Sequence, residues 1–299
     1  MIAVSAPILM AVIPSMFRTL LLCALFLLSA CSDQPPPDLP ATETPSQPEL
    51  SSAPPESEVT TNTAIRRVIL AADPWCPHNC LAGALQQGYM VDIAREIFSE
   101  AGYEFDYQNY GWARSLQLAR EQLIDGVVGA LKGDAPDFIF PETGLGEARI
   151  TLYTHPQSQW VFNGIDSLRG KTLLVINGYS YSPELDRYIS ENTDDPERIW
   201  ILSGPAPLAR ALQLLERERT DVFVEDSAVM SWFLAQNTSF AAPRSAGLAH
   251  EAPLFIAFPP ENPDATELAN LLDSGLARLA ANGRLAAILS AYRLSEPDL

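Results

Sequence analysis

Two thiols, an imidazole, an indole and a carboxylate fall within eight residues, DPWCPHNC, running from Asp73 to Cys80. Three chemistries fit such a set. Cys76, His78 and Cys80 offer donors to a metal ion, but three donors in five positions depart from the usual zinc spacings, and no Cys or His close by in sequence adds a fourth. A redox-active pair asks for C-x-x-C, and Asn79 lengthens that spacing by one residue. The third option is a disulfide across a short turn, favoured by Pro77 and Asn79, which would hold Trp75 and His78 at the rim of a pocket. That option needs an oxidising compartment, and the disulfide of Cys76 with Cys80 is the expectation carried forward if the chain is exported.

The N-terminal residues indicate export. Thr19 to Ala30 is an apolar run of signal-peptide length, short for a membrane span, and Arg18 supplies a positive flank if translation starts at Met16. Residues 1–15 carry no charge and contain prolines, so Met16 is the expected true start. Leu28-Ser29-Ala30-Cys31 resembles the lipobox of bacterial lipoproteins, which implies a signal peptide over 1–30 and a lipid on Cys31. Ser32 stands where an aspartate would favour the inner membrane, so the expected location is the periplasm, lipid-anchored to the outer membrane. Residues 31–63 are rich in Pro, Ser, Thr and Glu and lack Lys and Arg, a composition with little to bury. They read as a disordered tether reaching up to ~100 Å. The net charge of −18 argues against a nucleic-acid partner.

From Ala64 onward the pattern alternates short β-branched runs with amphipathic segments. A strand is expected at 66–73, and a helix from Met90 with an apolar stripe at Ile93, Ala94, Ile97, Phe98 and Ala101, closed by Gly102. Further strands are expected at 103–108, 126–131, 171–176, 199–202, 221–225 and 253–259. Helices are expected at 112–123, from Pro183, at 208–218 and at 227–236, followed by a C-terminal pair broken at Asn282-Gly283. Strand and helix in alternation predict an α/β fold with parallel-dominated sheets and a ligand site beyond the carboxyl ends of the strands.

Four segments resemble family 3 extracellular solute-binding proteins, the amino-acid type of periplasmic binding protein: GYMVDIAREIFSEAGYEFDY, IDSLRGKTLLVINGYSY, ERERTDVFVEDSAVMSWFLA and LARLAANGRLAAILSAYRL. The resemblance spans nearly all of 64–299. It implies the two-lobed type II fold with a ligand cleft, one lobe formed by 64–155 and 250–299 and the other by 156–249, crossing near Tyr153–Ser158 and Gly247–Leu254. The family position of the cleft then names ligand-binding candidates. In the first lobe they are Asp73, Trp75, Tyr89, Trp112, Arg114, Gly129, Ala130 and Lys132. In the second they are Asn177, Gly178, Tyr179, Ser180, Tyr181 and Asp226. Free N–H groups ahead of a helix capped by Ser182 and Pro183 favour an anionic group at 177–180. Asp226 matches the position that binds an α-ammonium in amino-acid-binding relatives, and it would also serve as N-cap of the helix at 227–236.

One departure bears on the ligand. The family's arginine after the third strand, which grips a carboxylate through two parallel bonds, is missing from GALKGDAPDFIFPE, where Lys132 offers only a point charge. A small polar metabolite, amino-acid-like or an organic anion, is the expected ligand. The implied partners are an ABC permease or, as an alternative, a sensor protein. No cofactor or metal is expected, the chain is expected to be a monomer, and an enzyme is not expected. A dehydratase-like activity through Asp73, Glu142, Glu225 or Asp226 is the remaining alternative.

Overall fold

The computed structural model describes residues 66–204 and 206–295, so the signal segment, Cys31 and the tether lie outside the described residues. Strand β1 (Arg67–Ala72) buries Val68, Leu70, Ala71 and Ala72. Helix α1 (Tyr89–Glu100) buries the expected stripe of Met90, Ile93, Ala94, Ile97 and Phe98, but Ala101 is the exposed C-cap rather than part of the stripe. Strand β2 (Glu104–Asn109), helix α2 (Trp112–Arg120) and strand β3 (Gly126–Ala130) complete the first unit. Helix α2 stops three residues short of Leu123, because Gln122 turns to positive φ.

Strand β4 (Gly146–Thr154) has no counterpart in the expected elements. Its first half alternates buried Gly146, Ala148 and Ile150 with exposed Glu147 and Arg149, the period of a strand with one face in water. The second unit repeats the first: β5 (Leu173–Ile176), α3 (Pro183–Asn192), β6 (Ile199–Leu202), α4 (Pro207–Glu216), β7 (Val222–Asp226) and α5 (Ser227–Gln236). Strand β8 (Arg244–Ala257) starts nine residues before the expected 253–259, and α6 (Ala265–Ala281) and α7 (Arg284–Ala291) break at Asn282-Gly283 as expected.

The sheet order is β2-β1-β3-β8-β4-β7-β5-β6. Around β1 and around β5 the pairings are parallel, whereas β3 with β8, β8 with β4, and β4 with β7 are antiparallel. The sheet is therefore mixed rather than parallel throughout, with two alike parallel units joined by an antiparallel centre. Pairing partners change within the central strands. Strand β8 pairs with β4 as far as Leu254 and with β3 from Phe255, and β4 meets β7 from Ile150 onward. Helix α6 lies close on α1, where a Cβ on Gly275 would stand 2.5 Å from Ile97.

Candidate ligand-binding site

The segment between β1 and α1 folds onto itself. Trp75 N–H donates to the Asn79 carbonyl at 2.6 Å, and the N–H groups of His78 and Asn79 donate to the Trp75 carbonyl at 3.1 and 3.2 Å. Cys76 and Cys80 are disulfide-bonded with Cα atoms 4.7 Å apart, and the Cys76–Pro77 peptide is cis. Sulfurs bonded to each other are not thiolate ligands, and among the described residues no group of three or more His, Cys, Asp or Glu is placed to hold a metal ion. The carbonyls of Pro77 and His78 accept from the N–H groups of Tyr89 and Met90, which the first turn of α1 would otherwise leave without partners. Gly88 sits between at φ +103, with Asn79 Cα where a Cβ would go. The loop is thus fastened at both ends.

Next to this loop the ends of β1 and β3 in the first unit face the ends of β5 and β7 in the second, around a small cavity of about 20 Å³. That volume holds about one water-sized group. Side chains from both units meet across it. Tyr179 Oη donates to Asp73 Oδ2 at 2.6 Å, Trp75 Nε1 donates to Glu225 Oε1 at 2.8 Å, and Ser180 N–H donates to Asp134 Oδ1 at 2.8 Å. Trp112, Tyr179 and Tyr181 add aromatic wall, and Val128, Leu131 and Ile150 add apolar wall. Gly129 lines it at φ +85, where a Cβ would press to 2.5 Å on Asn79 Oδ1, so this position is held to glycine by both conformation and space.

Three carboxyls line the cavity, and each is pushed up. Burial lifts Glu225 to about 8, against the pull of its bonds from Trp75 and the Asp226 N–H, with the charges of Asp226 and Asp73 adding to the rise. Burial likewise lifts Asp134 to about 7, despite N–H groups of Leu131, Ser180 and Trp112, and Asp73 to about 6, despite Tyr179. Desolvation disfavours the charged form, and hydrogen bonds offset only part of it. Asp226 behaves differently. Burial pushes it up, but bonds from His78, Arg149 N–H and Val229 N–H outweigh that and hold it below the ordinary value.

Of the residues named from sequence, Asp73, Trp75, Trp112, Gly129, Tyr179, Ser180 and Tyr181 line the cavity. The others lie elsewhere. Asp226 caps α5 by accepting from Val229 N–H at 2.9 Å and faces His78 Nε2 at 3.1 Å. Tyr89 is buried behind the loop with its hydroxyl 2.8 Å from His78 Nδ1. Ala130 is buried in β3, and Lys132 is exposed with Nζ 5.1 Å from the centre of the Phe255 ring. Arg114 pairs with Glu121 at 3.4 Å and, with Asn177, borders an outer groove of about 800 Å³. Gly178 is exposed and abuts Ala113.

The cavity also takes residues not named from sequence as ligand contacts: Asn79, Asp134 and Glu225, with the apolar Val128, Leu131 and Ile150. Asp134 stands in the loop KGDAPD just after β3, a strand-end position. Its partner Ser180 is 46 residues away, and nothing local reveals the pairing.

Solved structures share this architecture. A putative L-cystine ABC transporter from Listeria monocytogenes aligns with a TM-score of 0.64 at 16% identity, over 79% of this chain and 100% of that one. A mutant of ArgBP from T. maritima aligns with a TM-score of 0.62 at 19% identity, over 76% and 94% of the two chains. A histidine kinase sensor domain with similarity to periplasmic binding proteins gives a TM-score of 0.62 at 17% identity, over 77% and 98%. No family model matches the sequence, and no curated protein does. The chain has the α/β fold of type II periplasmic binding proteins, with a mixed sheet flanked by helices. Within that class it is structurally similar to family 3 solute-binding proteins.

Proposed function

We propose that the chain is an extracytoplasmic solute-binding protein, tethered by lipid at Cys31 to the outer membrane on its periplasmic side. In this reading a lobe of 64–155 with 250–299 and a lobe of 156–249 close on a small polar solute, which passes to an ABC permease. The observation that carries the reading is the cavity where side chains from the carboxyl ends of β1, β3, β5 and β7 meet, the place where open α/β sheets bind ligands. The present cavity admits only one small group, so solute enters when the units part, and closure is stabilised by contacts to both.

The likeness to a kinase sensor domain supports signalling as the second reading, and co-purification with a permease or a sensor protein separates the two. An enzyme has less support. Asp226 is engaged by His78 and the N–H groups of Arg149 and Val229, Glu142 is exposed outside the cavity, and the two candidate carboxyls that do line it, Asp73 and Glu225, already accept from Tyr179 and Trp75. A thermal-shift panel of amino acids, organic acids and amines on the exported protein tests the proposal. A bound solute at a hundred times its Kd adds about 2.7 kcal/mol of stability. No shift with any class refutes it.

A further inference from the structure

Resting on the solute-binding reading, we propose that the cavity takes a small organic cation without a carboxylate, its ammonium or guanidinium group held among Asp73, Asp134 and Glu225. No Lys, Arg or His lines the cavity. Lys132 lies over Phe255 and Arg114 pairs with Glu121, so neither supplies a counter-charge to an anion there. The backbone donors that would greet an anion are already engaged by the protein's own carboxylates. Ser180 N–H serves Asp134, and Tyr181 N–H donates to Asp186 Oδ1 at 2.8 Å. A carboxylate entering here would find carboxyls around it and no cationic side chain to pair with.

An independent observation points the same way. Asn79 is 1% exposed and lines the cavity, and its Oδ1 has no hydrogen-bond partner among the described residues. Its Nδ2 is spent on the Asp73 carbonyl at 2.7 Å. The open valence is therefore an acceptor, which a ligand N–H satisfies and a ligand carboxylate does not. Trp75, Trp112 and Tyr179 supply the π-faces that attract a cation once it is stripped of water. Burial leaves Glu225 largely and Asp134 partly protonated near neutrality in the closed protein, while Asp73 is mostly ionised, so an incoming cation meets one standing charge and displaces protons from the other two carboxyls.

Matched pairs isolate the sign of the ligand. Calorimetry on the full exported protein at about pH 8.5, where the carboxyls ionise most readily, compares agmatine with arginine, putrescine with ornithine, and ethanolamine with serine. At least one cation is expected to bind at least tenfold tighter than its carboxylated counterpart. Asp134→Asn and Glu225→Gln are each expected to weaken that cation at least tenfold with an unchanged circular dichroism spectrum. Should either variant fail to fold, the pairwise comparison on the unmodified protein stands alone. Equal or tighter binding of the carboxylated member in every pair, or binding of an organic acid with all cations silent, overturns the cation assignment and leaves solute binding intact. Silence from the six probes and from the wider thermal-shift panel overturns both.

Discussion

Replacing Glu225 by glutamine isolates the electrostatic strain in the cavity. Glu225 is 1% exposed, and burial raises its carboxyl to about 8 from an ordinary value of 4.5. Because the folded value lies above the unfolded one, the stability it confers is full below about pH 4.5 and is lost as pH rises toward about 8. Within that window the folded protein holds one proton that the unfolded chain has released, and the slope is about 1.4 kcal/mol per pH unit. Asp134 at about 7 adds a large part of a second proton and Asp73 at about 6 a small part of a third.

Between about pH 6 and pH 7 the ligand-free protein should therefore lose about 2 to 3 kcal/mol, a fall in Tm on the order of 6 °C for a domain of this size. Glutamine keeps an oxygen for the Trp75 and Asp226 donors and cannot ionise, so Glu225→Gln should remove about half of that slope. Asp226, held low, loses its contribution only on the acid side of the ordinary carboxylate range and does not interfere. Calorimetric melts of both proteins across this range provide the measurement. A Tm that is flat or rising in the wild type, or a variant with the full slope, refutes the reasoning.

Reduction of the Cys76–Cys80 bond, which closes a loop with a sequence separation of 4, should cost about 2 kcal/mol, read as a lower Tm in reductant. Thiol titration of the exported protein should find neither cysteine free. Gly129→Ala must force φ +85 on alanine and press its Cβ to 2.5 Å on Asn79 Oδ1, so a loss of about 2 kcal/mol or more is expected in denaturant titration. Cys31→Ala should move the protein from the outer-membrane fraction to the soluble periplasm, and retention in the membrane would remove the lipid anchor from the proposed function.

The parallel units were legible because each strand is a compact apolar run bounded by turns, and each helix carries a stripe, as at Ile93 to Phe98. The antiparallel centre was not. In RSAGLAHEAP the first ten residues of β8 mix Gly, Ala, Pro and charge, and only pairing with β4 over Arg244–Leu254 makes them a strand. The wall of the cavity divides in the same way. Asp73, Trp75 and Tyr179 stand directly after strands, where chain position alone puts them near the cleft. Asp134 owes its place to Ser180, 46 residues away, an encounter no spacing rule reports, whereas Asn79 is held locally by Trp75 and the Asp73 carbonyl and only the fold brings that turn against Gly129. The anion-favouring geometry before α3 is present, with Ser182 accepting from Leu185 N–H at 3.2 Å, yet the anions that use it are Asp134 and Asp186 of the chain itself.

The route of β8 through the sheet has a consequence for the order of folding. All partners of β5, β6 and β7 lie between Gly146 and Asp226, so the second unit has its strand pairings available as soon as that stretch has emerged where it folds. The first unit must wait. One edge of β3 stays open until Phe255–Ala257 arrive, and α1 lacks the cover of α6 and α7 until the last turns are made. The half that emerges first is thereby the half completed last, with an edge of Val127 and Val128 left open to foreign strands until the C-terminal end of β8 arrives.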